Sequence, residues 1–240
     1  MLKGLNLSDS ATNTSDKGKA MSQLNFDQAR FNMVEQQIRT WTVLDTKVLD
    51  VMMQIPREAF VPDAYKNMAY SDIGIPLDHA QEMMHPKIEA HMLQALNIQE
   101  NDNVLEIGTG SGYATALMAS LGKHVTSVEI YPDLLRRAGM RLSGLNISNV
   151  TLEEGDAIDG WPEHGPYDAI AVTGAVHTVS DKLKNNLTIG GRLFVIVGNS
   201  PVMEAMLIER KSESEFEQTA ILETEIAYLT NGEKPKSFEF

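Results

Sequence analysis

The chain contains no cysteine, which removes disulfides, thiolate nucleophiles and cysteine-ligated zinc from consideration. No apolar run approaches the length of about 18 residues that a membrane-spanning helix needs. No charged, then apolar, then small-residue signal pattern opens it. Basic side chains are also scarce: 20 Lys and Arg face 33 Asp and Glu, a net charge of −13. Such a field repels polyanions, and there is no dense Lys/Arg cluster to offset it, so a nucleic-acid partner is disfavoured. These absences together describe a cytoplasmic protein with neither a membrane nor a nucleic acid as partner. What is present is ordinary for a folded domain, with 42% hydrophobic and 22% charged residues. At 240 residues the chain can bury one large core, or one core with a small appendage.

Residues 1–21 are rich in Ser, Thr, Asp, Asn and Lys and lack apolar periodicity, which reads as a mobile tail. Residues 22–240 read as a single domain: a helical extension over 22–100, a core over 101–200 and edge strands over 201–240. Phe31, Val34, Ile38 and Trp41 fall on one helical stripe. A second helix is expected from Asp45 to Ile55, with Val48, Val51 and Ile55 inward and Pro56 ending it. Ala69 to Pro86 reads as an ordered loop with a short hairpin, and Lys87 to Leu96 as helix. Strand-like runs then follow at Asn103–Ile107, His124–Ile130, Val150–Glu154, Tyr167–Thr173 and Arg192–Gly198. Helices are expected between most of them, over Gly112–Leu121, Pro132–Leu145 and Ser180–Leu187. Ala205–Glu209 and Thr219–Tyr228 read as an antiparallel pair at the sheet edge, with a last strand or packed terminus around Phe238 and Phe240. The alternation implies an α/β fold, a doubly wound and mostly parallel sheet with helices on both faces.

The chemistry concentrates after the first of these strands. Val104-Leu105-Glu106-Ile107 runs directly into Gly108-Thr109-Gly110-Ser111-Gly112 and then a helix. Glycines here permit a tight turn and let backbone N–H groups approach a ligand, at the strand ends where open α/β sheets bind ligands. A dinucleotide fingerprint would want its third glycine where Tyr113 stands. An acid at Glu106 would also sit badly against a pyrophosphate. Both features suit S-adenosyl-L-methionine, which carries a sulfonium and an amine and no phosphate. Glu129 ends the second strand and can accept from ribose hydroxyls. Asp156, with Ala157, follows the third strand and can accept from the adenine amine, while Thr173 ends the fourth, where the reactive methyl should lie. Singly, each acid reads as an ordinary strand-end charge; in this order, all at strand ends, they read as a cofactor site. The site so expected comprises Glu106, Gly108, Thr109, Gly110, Ser111, Gly112, Glu129, Ile130, Asp156, Ala157 and Thr173. His79, His85 and His91 are six apart, which gives no helical metal-ligand spacing, and no metal site is expected.

The pattern Glu-x-Gly-x-Gly-x-Gly resembles the first motif of class I methyltransferases, whose Rossmann-like fold has a seven-stranded sheet. Val172-Thr173-Gly174-Ala175 lacks the Pro-Pro motif of many nucleic-acid amino-methylating enzymes. From about Phe31 to the C-terminal strands the chain resembles protein-L-isoaspartate O-methyltransferase. The resemblance is carried by Pro56-Arg57-Glu58-Ala59-Phe60-Val61-Pro62, Ala69-Tyr70-Ser71-Asp72, Ile75-Pro76-Leu77, Gln81 with Pro86, and Val104 through Tyr113. Gly155-Asp156, Gly160-Trp161-Pro162, Tyr167-Asp168-Ala169-Ile170 and Gly190-Gly191-Arg192-Leu193 extend it. It implies methyl transfer from S-adenosyl-L-methionine, leaving S-adenosyl-L-homocysteine, to the α-carboxylate of an isoaspartyl residue in a damaged protein or peptide. A carboxylate is already ionised near neutral pH, so it needs alignment and exclusion of water rather than a general base.

The acceptor loop departs from that family. Where the family usually reads Gly-x-Gly-Gln-Thr-Ile-Ser-x-Pro, this chain has Asp78-His79-Ala80-Gln81-Glu82-Met83-Met84-His85-Pro86. Met84 stands where the family has the serine beside cofactor and acceptor, and methionine donates no hydrogen bond. Met84 is thus the catalytic-position residue that the resemblance implies, with Gln81, Met83 and His85 around it in the acceptor loop. Ala227-Tyr228-Leu229-Thr230-Asn231-Gly232 occupies the place of the family's closing Val-Pro-Leu segment. Two other readings stay open because of Met84: the same fold and cofactor with a different acceptor, and a non-catalytic S-adenosylmethionine-binding protein.

Overall fold

The computed structural model describes residues 25–232; the tail expected over 1–21 and the strand expected around Phe238 and Phe240 lie outside the described residues. Helix α1, Phe26–Asn32, opens at Asn25, whose side chain accepts from the Gln28 amide. The chain then widens into a π-helical stretch, Met33–Ile38, tightens to a 3-10 turn over Arg39–Trp41, and stops at left-handed Thr42. That change of pitch breaks the single stripe expected from the sequence. Val34 and Ile38 are buried, but Phe31 and Trp41 are 47% and 54% exposed, because a 3.6-residue period holds only while the α-helical hydrogen-bond pattern does. Trp41 instead lies beneath the Lys87 ammonium, 4.6 Å from its ring centre.

Helix α2, Thr46–Gln54, is capped by Asp45 and buries Val48, Leu49, Val51 and Met52, leaving Ile55 half-buried. The expected hairpin is present as β1, Ile75–Pro76, paired antiparallel with β2, Glu82–Met83. Helix α3, Pro86–Leu96, begins at a proline whose missing N–H would have no helical partner there.

The strands β3 (Asn103–Ile107), β4 (His124–Glu129), β5 (Val150–Glu154), β6 (Tyr167–Val176), β7 (Leu187–Asn199), β8 (Val202–Arg210) and β9 (Phe216–Thr224) form one seven-stranded sheet in the order β5-β4-β3-β6-β7-β8-β9. Pairing is parallel from β5 to β7, and β8 and β9 add antiparallel at the edge. Helices α4 (Tyr113–Leu121), α5 (Pro132–Gly144) and α6 (Asp181–Asn185) connect the parallel strands. Alternate strand residues feed two cores, as the two-residue side-chain period requires. Val104, Ala169, Ala171 and Phe194 pack with the N-terminal helices and α4, while Leu105, Ile107, Ile170 and Leu193 pack with Leu183 of α6.

The last strand is shorter than the expected Thr219–Tyr228. After Thr224 the chain leaves β8 and crosses to the end of β6, where the Ala175 amide donates to Ala227 O and the Leu229 amide to Ala175 O, each at 2.9 Å. The main chain of 227–229 pairs there with β6, so it cannot also extend the ladder to β8. Because β3 lies between β4 and β6, the crossovers leave its two sides in opposite directions, opening the crevice where ligands bind in such sheets.

Candidate cofactor and acceptor site

A partly open cavity lies at that crevice. Its floor is the glycine loop. Gly108, at φ +97°, donates its amide to Val128 O at 2.9 Å, and a Cβ there would lie 2.6 Å from Thr173 Oγ1. Thr173 Oγ1 contacts the carbonyls of Ile107 and Gly108 at 3.0 and 2.6 Å, tying the end of β6 to the loop. Glu129, only 5% exposed, accepts from the amides of Gly110 (2.8 Å) and Tyr131 (3.0 Å). It therefore fixes the loop's upper edge while retaining lone pairs toward the cavity.

Of the residues expected at the site, Gln81, Met84, Gly108, Gly110, Glu129, Ile130, Asp156, Ala157 and Thr173 line this cavity. Glu106, Thr109, Ser111 and Gly112 do not. Glu106 is fully buried beneath the loop, where one carboxylate oxygen accepts from Thr115 and Ser127 and the other has no partner. Burial pushes its carboxyl up to about 8, against the pull of those two hydrogen bonds. Thr109 bonds Ser127 at 2.6 Å, and the Ser111 carbonyl accepts from Arg141 at 3.1 Å. Gly112 packs so tightly on α5 that a Cβ would meet that of Ala138 at 3.0 Å. These four shape the loop from below.

In the acceptor loop, Met83 is buried in the core and His85 turns outward to the Asp72 carbonyl at 3.1 Å, so neither lines the cavity. His79 stacks on Tyr131, centroids 4.0 Å apart, and reaches Asp133 at 2.8 Å. Glu82 lines the cavity and accepts from the Ala227 amide at 3.2 Å.

The sequence reading missed the covering segment, Ile226, Ala227, Leu229 and Thr230. Beyond its main-chain bonds to Ala175 and to Glu82, two side-chain contacts hold it down: Tyr131 Oη to Thr230 Oγ1 at 2.9 Å, and Asn231 Nδ2 donating to Asp156 Oδ2 at 2.8 Å. Its only sequence signal was its place in the family's closing segment. Leu77, Ile107, Val128, Ile158 and Gly174 also line it, with Tyr131 and Gly155; as ordinary apolar or small residues the first five carried no signal of their own.

Carboxylates at the ends of β4 and β5, apolar Val128, Ile130 and Ile158 between them, and a glycine loop over a buried acid suit a nucleoside with hydroxyl and amine donors. They do not suit a pyrophosphate. Fold and site together define a class I methyltransferase that uses S-adenosyl-L-methionine, which when bound supplies an activated methyl group. The family model for protein-L-isoaspartate(D-aspartate) O-methyltransferase matches residues 28–234, and the chain belongs to that family. It is 42% identical over 185 residues to protein-L-isoaspartate O-methyltransferase 2 of Pelobacter propionicus, covering 77% of this chain and 82% of that one. The corresponding enzyme of Gloeobacter violaceus is 38% identical over 204 residues, covering 85% and 99%. A solved protein-L-isoaspartate O-methyltransferase superposes with a TM-score of 0.73 at 28% identity, over 84% of this chain and 66% of that one. A Plasmodium falciparum structure described as a putative protein-L-isoaspartate O-methyltransferase in complex with S-adenosyl-L-homocysteine shares the fold at TM-score 0.71 and 19% identity.

Proposed function

We propose that the acceptor is the free carboxylate of an isoaspartyl residue in a damaged protein, making the chain a protein-repair enzyme. The observation that carries this reading is the placement of the acceptor wall. Gln81, Glu82 and Met84 face the donor loop across one cavity, and the 226–230 segment closes it from above. Such an enclosure confines the acceptor and excludes water, which methyl transfer to a carboxylate needs. The Glu82 carboxylate on this wall opposes an ionised acceptor and is partly offset by the Ala227 amide it accepts from at 3.2 Å. The donor is held, on this reading, by Gly108, Gly110, Glu129, Ile130, Asp156, Ala157 and Thr173. Glu106, Thr109, Ser111 and Gly112 support the loop beneath it. Residues from all three parts of 22–240 meet in the cavity, which supports a single methyltransferase domain. A net charge of −13 favours a protein over a nucleic acid as substrate. Among the described residues no helix is long and apolar enough to cross a membrane, and a cysteine-free chain fits a cytoplasmic setting.

Met84 costs the site one hydroxyl donor. One lost hydrogen bond to a charged group is about 1.5–3 kcal/mol, roughly a tenfold to hundredfold loss of rate if it forms in the transition state. The test is methyl transfer to an isoaspartyl peptide and its aspartyl isomer by the wild type and by Met84→Ser. The expected result is slow but isomer-selective transfer, accelerated in the serine variant. Normal cofactor binding with no transfer by the wild type to the isoaspartyl peptide would overturn the reading.

A further inference from the structure

The Pro56–Pro62 connector sends Arg57, Phe60 and Val61 into the interior, and the first of them is charged. Arg57 is fully buried, and its guanidinium meets three separate parts of the fold. Nη1 pairs with Glu89 of α3, itself 2% exposed. Nη2 donates to the main-chain carbonyl of Met84 at 2.7 Å. The guanidinium carbon lies 4.8 Å from the ring centre of Tyr113, the first residue of α4 directly after the glycine loop.

We propose that Arg57 and Glu89 are a positioning pair for methyl transfer, fixing the acceptor loop against the donor loop through the main chain of Met84. The inference rests on the acceptor reading of the Gln81–Met84 wall. A buried ion pair is a poor device for stability alone, since well-packed apolar residues of similar volume often do as well or better. What apolar residues cannot supply is a directed donor for the Met84 carbonyl, which lies between the end of β2 and the start of α3. The planar guanidinium holds its bonds to Glu89 and Met84 at a fixed angle, while its face rests on Tyr113. Glu89 orients the fork, Met84 O receives it, and Tyr113 references it to the donor side. Neither Arg57 nor Glu89 lines the cavity, so they act on the acceptor only through Met84.

The deciding experiment compares the wild type with Arg57→Met, Arg57→Lys and the double variant Arg57→Met/Glu89→Leu. Arg57→Met leaves Glu89 buried alone and should lower the melting temperature, and the double variant should recover it. In the recovered double variant, S-adenosyl-L-homocysteine affinity should stay within threefold of wild type by calorimetry. The KM for an isoaspartyl peptide should rise at least tenfold, and the amides of 81–85 should exchange faster with solvent. Arg57→Lys, which keeps the charge but loses the fork, should move KM in the same direction and serves if the double variant does not fold. A stable double or lysine variant with wild-type KM and wild-type loop exchange would reduce the pair to a structural role. If the wild type methylates no isoaspartyl peptide, the acceptor reading falls. Loop exchange then still decides the positioning claim, and unchanged exchange overturns it.

Discussion

Glu129 offers the sharpest test of the donor side. Its carboxylate presents about four lone-pair positions, and two are taken by the amides of Gly110 and Tyr131 at 2.8 and 3.0 Å. The remaining positions face the cavity, where ribose hydroxyls would meet them. Glu129→Gln keeps the shape but replaces one acceptor oxygen with an NH₂ donor. That group meets either a backbone N–H or a ribose hydroxyl that needed an acceptor, so one charge-assisted bond is lost whichever way the amide turns. The loss is about 1.5–3 kcal/mol, which raises the dissociation constant roughly tenfold to a hundredfold. Calorimetric titration with S-adenosyl-L-homocysteine measures it directly, and a melting curve confirms that the variant is folded. A folded variant whose dissociation constant stays within about threefold of wild type would refute the assignment of Glu129 to the donor.

Gly174→Ala should loosen the covering segment, because its Cβ would lie 2.8 Å from Leu229 Cδ2 and 3.1 Å from the Leu229 amide nitrogen. Faster hydrogen exchange over 226–230 and weaker S-adenosyl-L-homocysteine binding are expected; unchanged exchange would contradict the packing. Glu106→Gln tests the buried acid under the loop. Burial raises the Glu106 carboxyl from 4.5 to about 8, so the folded protein holds the proton more tightly than the unfolded chain. The wild type therefore loses stability as pH rises from about 4.5 through about 8, and the loss levels off above that. The glutamine variant escapes this part of the slope, and its stability relative to wild type should climb across that window in urea titrations. Parallel pH profiles for the two proteins would show that Glu106 does not titrate as described.

The parallel core was legible because its strands are short apolar runs stopped by glycine or acid. Asn103–Ile107 and Val150–Glu154 begin and end where the sequence indicates. The first helix was not, since nothing in the spacing of Phe31 to Trp41 announces the change to π-helical pitch that turns both aromatics outward. Glu106 illustrates a subtler gap. Its proximity to the loop was plain, but whether it points into the crevice or under it depends on Thr115 and Ser127, contributed by α4 and β4. The covering segment was least legible. Its contacts join residues far apart in the chain, such as Tyr131 with Thr230, and no periodicity marks a stretch that pairs with a strand end. The acceptor loop lies between these cases: Gln81 and Met84 face the cavity, while Met83 packs into the core and His85 turns to the Asp72 carbonyl, contacts that depend on residues far off in the chain.

The covering segment also orders events during synthesis. Every other wall of the cavity comes from residues 77–174, and these can take up their sheet positions while the ribosome is still at work. Residues 226–230 are the last of the wall to emerge. A nascent chain that has completed its parallel strands thus still has an open trough where the cavity will be, uncovered until Leu229 and Thr230 fold back onto Gly174 and Tyr131.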